Sequence, residues 1–198
     1  MANLLSPLIK DGWIKNYLDD LIIWAPDFTT LINRLRKVFT LLVENGVKLN
    51  LSKCDFGKKE ITFLSYEISK EDSRPNPKNV EAILEMKGPT KAKEVRRFLG
   101  MAGFYRRHVP NFAKIAAPLT NLTRVKEKFN WNEQCQTAFE TLKKCLSEAP
   151  VLARAQTDQP FIVTTDASNT HIGGVLSQMQ PEGVTKSLGY FSKNVKPR

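Results

Sequence analysis

The sequence contains no apolar run of the roughly 18 residues that a membrane-spanning helix needs. Residues 1–13 lack the basic segment and apolar core of a secretory signal peptide. The three cysteines, Cys54, Cys135 and Cys145, are an odd number without CxxC spacing, which argues against a disulfide framework and against a zinc knuckle. We expect buried, apolar cysteines in a protein of a reducing, intracellular setting, with no membrane partner.

Acidic residues are scarce in one long segment. The chain has 30 Lys or Arg against 20 Asp or Glu, a net charge of +10. Residues 87–128 hold eleven basic residues against two acidic ones, Glu94 and Glu127, and therefore carry a net +9. The basic residues are Lys87, Lys91, Lys93, Arg96, Arg97, Arg106, Arg107, Lys114, Arg124, Lys126 and Lys128. A solvated helix face normally mixes both signs, so this segment favours a polyanionic partner such as nucleic acid.

The first 72 residues mix strand and helix patterns. Residues 13–24 (WIKNYLDDLIIW) are two β-favouring runs that meet at a polar pair and predict a hairpin. Residues 26–46 predict a helix that a glycine ends, because apolar residues follow each other there at helical spacing. Residues 63–68 predict a strand, and residues 73–77 (SRPNP) a boundary.

Helical patterns dominate the middle of the chain, and period-two patterns return near its end. The predicted helices are 79–86, 91–108 (with Thr90 as its cap), 112–122 and 132–146. The predicted strands are 161–167, 173–178 and 187–192. Phe112, Trp131 and Phe139 are predicted to lie in the core. The sequence therefore predicts an α+β fold with a helical middle and a new sheet after it.

The pair Asp19-Asp20, in the run Tyr17-Leu18-Asp19-Asp20, is the clearest candidate for chemistry. Adjacent carboxylates at a hairpin tip repel each other, and a bound divalent cation would compensate for that repulsion. Nucleotidyl transfer uses two Mg²⁺ ions about 3.5–4 Å apart, and Mg²⁺ is bound through one or two carboxylates plus waters. A polar hairpin without a metal is the alternative, and four residues alone do not decide between them.

Seven collinear blocks closely resemble the reverse transcriptase–RNase H region of gypsy-type LTR retrotransposons and their retroviral relatives. The blocks are YLDDLIIW (17–24), NGVKLNLSKCDF (45–56), ITFLSYEIS (61–69), RPNPKNVEAI (74–83), VRRFLGMAGFYRRHVPNFAKIAAPL (95–119), FNWNEQCQTAFETLKKCLSEAPVL (129–152) and PFIVTTDAS (160–168). The resemblance implies RNA-directed DNA synthesis coupled to RNase H cleavage of RNA–DNA hybrid, with Mg²⁺ or Mn²⁺ as cofactor. It also implies three kinds of partner: an RNA–DNA or DNA primer–template duplex, deoxynucleoside triphosphates, and the rest of a Pol polyprotein.

The resemblance also implies how the chain is divided. Residues 1–72 would be the C-terminal part of a palm, and 73–128 a helical thumb. A linking helix would occupy 129–154, and the start of an incomplete RNase H-like domain would occupy 155–198. Such a protein would work in the cytoplasm, in a virus-like particle or in the nucleus.

Residue roles in the palm follow from the same resemblance. Asp19 and Asp20 would be the paired metal carboxylates, and Tyr17 would lie beneath the primer terminus. Lys53 would protonate the departing pyrophosphate, with a plain surface lysine as the alternative. The primer grip, a hairpin that holds the primer 3′ end in place, would be Phe63, Leu64, Ser65 and Tyr66. Family members usually have glycine where this chain has Ser65, and gypsy-type members usually have histidine at Tyr66; a side chain at a glycine position restricts the backbone.

In the thumb, the resemblance places Gly100 and Phe104 on a track along the minor groove of the duplex, with Gly103 on the same helix. Its arginines would pair with phosphates; they are Arg96, Arg97, Arg106 and Arg107. Helix–helix contact at a small residue is the alternative for the glycines.

The residues TTDAS (164–168) resemble the first RNase H strand. Asp166 would be its first metal carboxylate, and a non-catalytic RNase H-like connection domain is the alternative. His108 and His171 lack metal-ligand spacing.

The family's fingers, its glycine-rich motif, its third polymerase carboxylate and the other RNase H carboxylates have no counterpart in the sequence. We therefore expect the chain alone to be inactive. A non-catalytic nucleic-acid-binding remnant and a decayed or mispredicted reading frame are the alternatives.

Overall fold

The computed structural model describes residues 2–124, 128–156 and 158–195, so Lys126 and Glu127 of the basic segment lie outside the described residues. The chain divides into two compact units, Met1–Phe63 and Leu64–Arg198. Each contains both helices and strands, and the predicted α+β fold is confirmed.

The first unit packs two helices against a hairpin. Its elements are α1 (Ala2–Lys10), β1 (Ile14–Tyr17), β2 (Asp20–Ile23), α2 (Phe28–Glu44), a 3₁₀ turn (Leu51–Lys53) and β3 (Ile61–Phe63). The core consists of Leu5, Trp13, Ile14, Val38 and Leu42.

The prediction of a hairpin and of a following helix is confirmed. Strands β1 and β2 are antiparallel, with Tyr17 opposite Asp20. The Asp27 carboxylate caps α2 by accepting from the Thr30 amide at 2.8 Å. Gly46, with φ of +67°, follows the helix, which explains why a glycine stands there.

The second unit combines a helical core with two small antiparallel sheets. Its first elements are β4 (Tyr66–Ile68), β5 (Asp72–Pro75), α3 (Pro77–Leu84), α4 (Ala92–Phe104) and a 3₁₀ turn (Arg106–His108). They are followed by α5 (Phe112–Ile115), α6 (Ala117–Asn121), α7 (Glu133–Ser147), β6 (Leu152–Ala153), β7 (Phe161–Ala167), β8 (His171–Met179) and β9 (Thr185–Asn194). Strand β5 pairs with β4 and β6, and β8 pairs with β7 and β9. The three predicted C-terminal strands are confirmed.

The helices meet around an aromatic pair, Phe98 and Phe139, whose ring centroids are 4.5 Å apart. Phe112 is also buried there, as predicted. Trp131 lies at the edge of this core, half-buried, and its indole N–H donates to Gln136 Oε1 at 2.8 Å. Of the cysteines only Cys135 is buried, and the prediction of burial is wrong for the half-buried Cys54 and Cys145.

The prediction of one strand at 63–68 is wrong. Leu64 and Ser65 connect β3 to β4 as a turn, with φ of +49° and +66°. These values are typical of a two-residue hairpin turn, which usually contains Asn or Gly. Because neither residue is present here, the local sequence pattern did not indicate the turn, whereas the family resemblance implied a hairpin at the primer grip.

Two predicted helix details are also wrong. Lys91, not Thr90, is the N-terminal cap of α4; the amide and hydroxyl of Thr90 donate instead to Glu94 Oε2, at 2.8 and 3.0 Å. The predicted helix 112–122 is divided into α5 and α6. Pro118 explains the break, because it has no N–H to donate to the carbonyl four residues earlier.

Candidate functional site

The tip of the β1–β2 hairpin presents the two predicted carboxylates to solvent. Leu18 and Asp19 connect the strands, and Leu18 has φ of +54°. The Asn16 side-chain amide donates to the carbonyls of Leu18, at 2.8 Å, and Asp20, at 3.3 Å. This amide holds the turn at Leu18 and at the start of β2, and sequence reasoning missed it. The available signal was a lone amide inside a β-favouring run.

Asp19 and Asp20 are both exposed, and within the described residues neither has an ion-pair partner. Their four oxygens are therefore available to a hard divalent cation, and an exposed pair of carboxylates suits an ion that keeps most of its waters. No group of three or more His, Cys, Asp or Glu in the described part of the chain could hold a metal. The carboxylates of Asp19 and Asp20 can supply two of the protein ligands of a metal ion. Tyr17, at the end of β1, is 54% exposed beside them.

Lys53 ends the 3₁₀ turn Leu51–Lys53 and is exposed. Asn50 organises this turn, because its Oδ1 accepts from the Ser52 amide at 3.2 Å and from the Ser52 hydroxyl at 2.7 Å. In the described residues no side-chain hydrogen bond or ion pair holds the Lys53 ammonium, which leaves it free to approach a bound anion.

The predicted grip turn lies against the end of α4. The Ser65 carbonyl accepts from the Asn76 amide at 3.1 Å and from the Tyr105 hydroxyl at 3.0 Å. Tyr66 donates its hydroxyl to the Phe104 carbonyl at 3.0 Å. Phe63, the fourth predicted grip residue, ends β3 and is half-buried.

The Tyr66 ring stacks on a buried histidine, His108, with centroids 5.6 Å apart. His108 Nδ1 lies 3.1 Å from the Pro150 carbonyl, and its Nε2 has no partner among the described residues. Burial lowers the pKa of His108, and the neighbouring Arg107 charge lowers it further. These contacts favour a neutral ring that is part of the packing and is not a metal ligand.

The exposed side of α4 carries the two predicted groove residues, Gly100 and Phe104. A Cβ added at Gly100 would meet nothing within 4 Å, so packing inside the described chain does not require glycine there. Gly103 faces Phe112, but a Cβ there would lie 3.8 Å from the Phe112 ring, which is an ordinary van der Waals distance. Close packing inside the described chain therefore does not require glycine at either position.

The four predicted phosphate-binding arginines are all exposed, but three also donate to backbone carbonyls within the chain. Arg106 donates to Ser192 at 2.6 Å and Arg107 to Leu188 at 3.0 Å, so both tie the 3₁₀ turn Arg106–His108 to β9. Arg96 donates to Thr123 at 3.1 Å. Among the described side chains, Arg97 alone of the four forms no hydrogen bond or ion pair.

Asp166 lies in β7 opposite Gly173 and is exposed. A Cβ at Gly173 would come within 3.3 Å of Asn111 Oδ1, so glycine allows β8 to approach the α5 segment closely. Asp166 belongs to the second unit, whereas Asp19 and Asp20 belong to the first.

Two family models match the chain. One, described as reverse transcriptase (RNA-dependent DNA polymerase), matches residues 1–68. The other, an RNase H-like domain found in reverse transcriptase, matches residues 131–198. The chain belongs to the reverse transcriptase and RNase H region of retroelement Pol polyproteins.

Curated relatives of this Pol segment are transposon proteins. It is 41% identical over 179 residues to the Retrovirus-related Pol polyprotein from transposon 297 of Drosophila melanogaster, covering 90% of this chain and 17% of that protein. It is 37% identical to the Pol polyprotein from transposon opus of the same species, covering 90% and 19%. The Transposon Tf2-3 polyprotein of Schizosaccharomyces pombe is 29% identical, covering 92% and 14%. The chain spans less than a fifth of each of these relatives.

Solved foamy viral enzymes have the same fold. A protease-reverse transcriptase dRH in complex with ds DNA has a TM-score of 0.84 and 26% identity, and the match covers 98% of this Pol segment and 34% of that chain. A protease-reverse transcriptase in complex with RNA/DNA hybrid has a TM-score of 0.85 and 26% identity, with 98% and 26% covered. Reverse transcriptases and RNases H generally use divalent metal ions. No helix in the described part of this Pol segment is long and apolar enough to cross a membrane.

Proposed function

We propose that this Pol segment supplies the catalytic hairpin, primer grip and thumb of an RNA-directed DNA polymerase, together with the first strands of its RNase H domain. The exposed Asp19-Asp20 pair on a turn held by Asn16 carries the proposal. The division into palm (1–72), thumb (73–128), linking helix (129–154) and RNase H start (155–198) is part of it.

The hairpin residues would act on the reacting groups. Asp19 and Asp20 would hold Mg²⁺ or Mn²⁺, which when bound neutralises the triphosphate and makes the primer 3′-hydroxyl a better nucleophile. Tyr17 offers an exposed aromatic surface at the base of the tip on which the primer terminus can rest. Lys53 has an exposed ammonium that can give a proton to the leaving pyrophosphate of a deoxynucleoside triphosphate.

The helix α4 would follow the primer–template duplex. Gly100 lets the backbone approach a sugar–phosphate strand, Phe104 offers an apolar contact, and Arg97 reaches phosphate. Both foamy viral structures described above were solved with a nucleic-acid duplex, which supports the same type of partner for this chain. The other parts of a Pol polyprotein would complete the enzyme, and Asp166 would be the first metal carboxylate of the RNase H site.

A chimaeric polymerase tests this proposal. The matching segment of the transposon 297 polyprotein is replaced by this chain, and Mg²⁺-dependent DNA synthesis on a primed RNA template is measured. We expect synthesis by the chimaera, and a loss of at least about 100-fold in Asp19→Asn or Asp20→Asn, because each removes a carboxylate from the metal pair. Asp55→Asn, at an exposed acid outside the hairpin, is the matched control. Undiminished synthesis by either tip variant would overturn the assignment.

A further inference from the structure

Two tyrosines join the grip turn to the end of α4. The Tyr105 hydroxyl donates to the Ser65 carbonyl, and the Tyr66 hydroxyl donates to the Phe104 carbonyl, both at 3.0 Å. The two bonds run in opposite directions between the same two segments. The turn and the helix end are therefore tied together at two points.

The turn requires such support because of its backbone. Leu64 and Ser65 both lie in the left-handed region, with φ of +49° and +66°. Residues other than glycine rarely adopt this region and stay there only when the surrounding structure holds them. The Ser65 carbonyl is held from two sides, by the Asn76 amide at 3.1 Å and by Tyr105.

The Tyr105 side chain is held in place by burial and by two hydrogen bonds. It is 2% exposed, and its hydroxyl accepts from Asn79 Nδ2 at 3.1 Å while it donates to Ser65. The Asn79 amide thus orients the hydroxyl hydrogen toward the Ser65 carbonyl. The Tyr105 ring also packs edge-on against Tyr66, with centroids 5.5 Å apart. A phenylalanine would keep this packing and lose both hydrogen bonds.

We propose that Tyr105 is a positioning residue for DNA synthesis, which holds the Ser65 turn in its left-handed conformation and so fixes how the grip meets the primer. This inference rests on the proposed polymerase function. The hydrogen bond from Tyr105 is needed because position 65 is a serine, since a glycine there would adopt a positive φ without support. The two side chains should therefore be energetically coupled although they lie 40 positions apart.

Amide hydrogen exchange on the 198-residue chain tests the contact itself. Tyr105→Phe removes one hydrogen bond at the turn, and we expect the Asn76 amide to exchange about fivefold faster. In a Ser65→Gly background the same substitution should change that rate less than twofold. Tyr190→Phe, which loses a long 3.4 Å contact to Ser187, is the matched control and should leave the Asn76 rate unchanged. An unchanged rate in Tyr105→Phe, or an equal acceleration in both backgrounds, would overturn the proposal.

Single-nucleotide incorporation by the transposon 297 chimaera tests the consequence. We expect Tyr105→Phe to lower kcat about fivefold while the Kd for primer–template stays within twofold, and Ser65→Gly to restore most of that loss. A loss of duplex affinity with unchanged kcat would show a structural role only. An inactive chimaera would overturn the proposed function and the positioning role with it, whereas the exchange result would still report on the contact.

Discussion

At the scale of single residues, the hairpin tip balances strain against hydrogen bonding. The positive φ of Leu18 costs on the order of 1 kcal/mol. The two bonds from Asn16 to the carbonyls of Leu18 and Asp20 contribute about 0.5–1.5 kcal/mol each. The amide is therefore sufficient to offset the strained backbone, and it keeps Asp19 and Asp20 at the tip.

Replacing Asn16 by Ala should weaken this turn. Because the longer of its two bonds, at 3.3 Å, is the weaker, we expect the free energy of unfolding to fall by about 1 kcal/mol, measured by urea denaturation of the chain. The chimaera should also lose DNA synthesis. Asn33→Ala, at an exposed position of α2, is the matched control and should not destabilise the chain. A similar effect of both substitutions would show that Asn16 has no special role.

The roles of some of these residues can be predicted from the sequence, and the roles of others cannot. Asp19 and Asp20 are visible because they are adjacent in a short motif. The role of Asn16 depends on carbonyls two and four residues away, for which a lone amide in a β-favouring run is the only local signal. The role of Tyr105 depends on a carbonyl 40 residues away, which the fold brings to it. Periodicity and spacing contain no information about a contact as distant as that of Tyr105.

At the scale of elements, α4 has two distinct faces. Val95, Phe98 and Ala102 enter the core of the second unit. Arg97 and Gly100, three residues apart, share the exposed side of the helix. The hydrogen bond from Arg106 to the Ser192 carbonyl ties the 3₁₀ turn that follows this helix to β9. The free basic face is therefore narrower than the eleven basic residues of the sequence suggest.

This narrower face gives a prediction for duplex binding. We expect the chain to bind an RNA–DNA hybrid weakly, with about four phosphate contacts, so that log K falls with log salt at a slope of about −3 to −4. Arg97→Ala should make the slope shallower by about one unit. Arg106→Ala should mainly reduce stability, since its guanidinium is bound to the Ser192 carbonyl. Fluorescence anisotropy across a salt series measures both, and a salt-independent affinity would contradict the prediction.

Local signals predicted some elements well. Asp27 marks the start and Gly46 the end of α2, both in the sequence and in the structure. These signals are reliable because each residue acts on the backbone next to it. The strand predicted at 63–68 is wrong because Ser65 stands where a hairpin turn normally has glycine. The helix predicted at 112–122 is wrong because Pro118 interrupts the hydrogen bonds of an otherwise helical pattern.

At the scale of the whole molecule, the predicted polymerase carboxylates and the predicted RNase H carboxylate lie in different units. Asp19 and Asp20 belong to Met1–Phe63, which the reverse transcriptase family model matches, and Asp166 belongs to Leu64–Arg198. The resemblance to one polyprotein region covers both units, and relatives contain much more sequence than this chain. In the proposed function, the Asp19-Asp20 pair of the first unit holds the polymerase metal.

Paramagnetic broadening by Mn²⁺ tests that claim most directly. In a ¹⁵N-labelled chain, substoichiometric Mn²⁺ should broaden the amide signals of residues 17–21 before others, and excess Mg²⁺ should restore them, because both ions prefer oxygen ligands. The broadening should persist in Asp55→Asn and disappear in the double variant Asp19→Asn, Asp20→Asn. Absence of broadening at the tip, or broadening that survives in the double variant, would contradict the account.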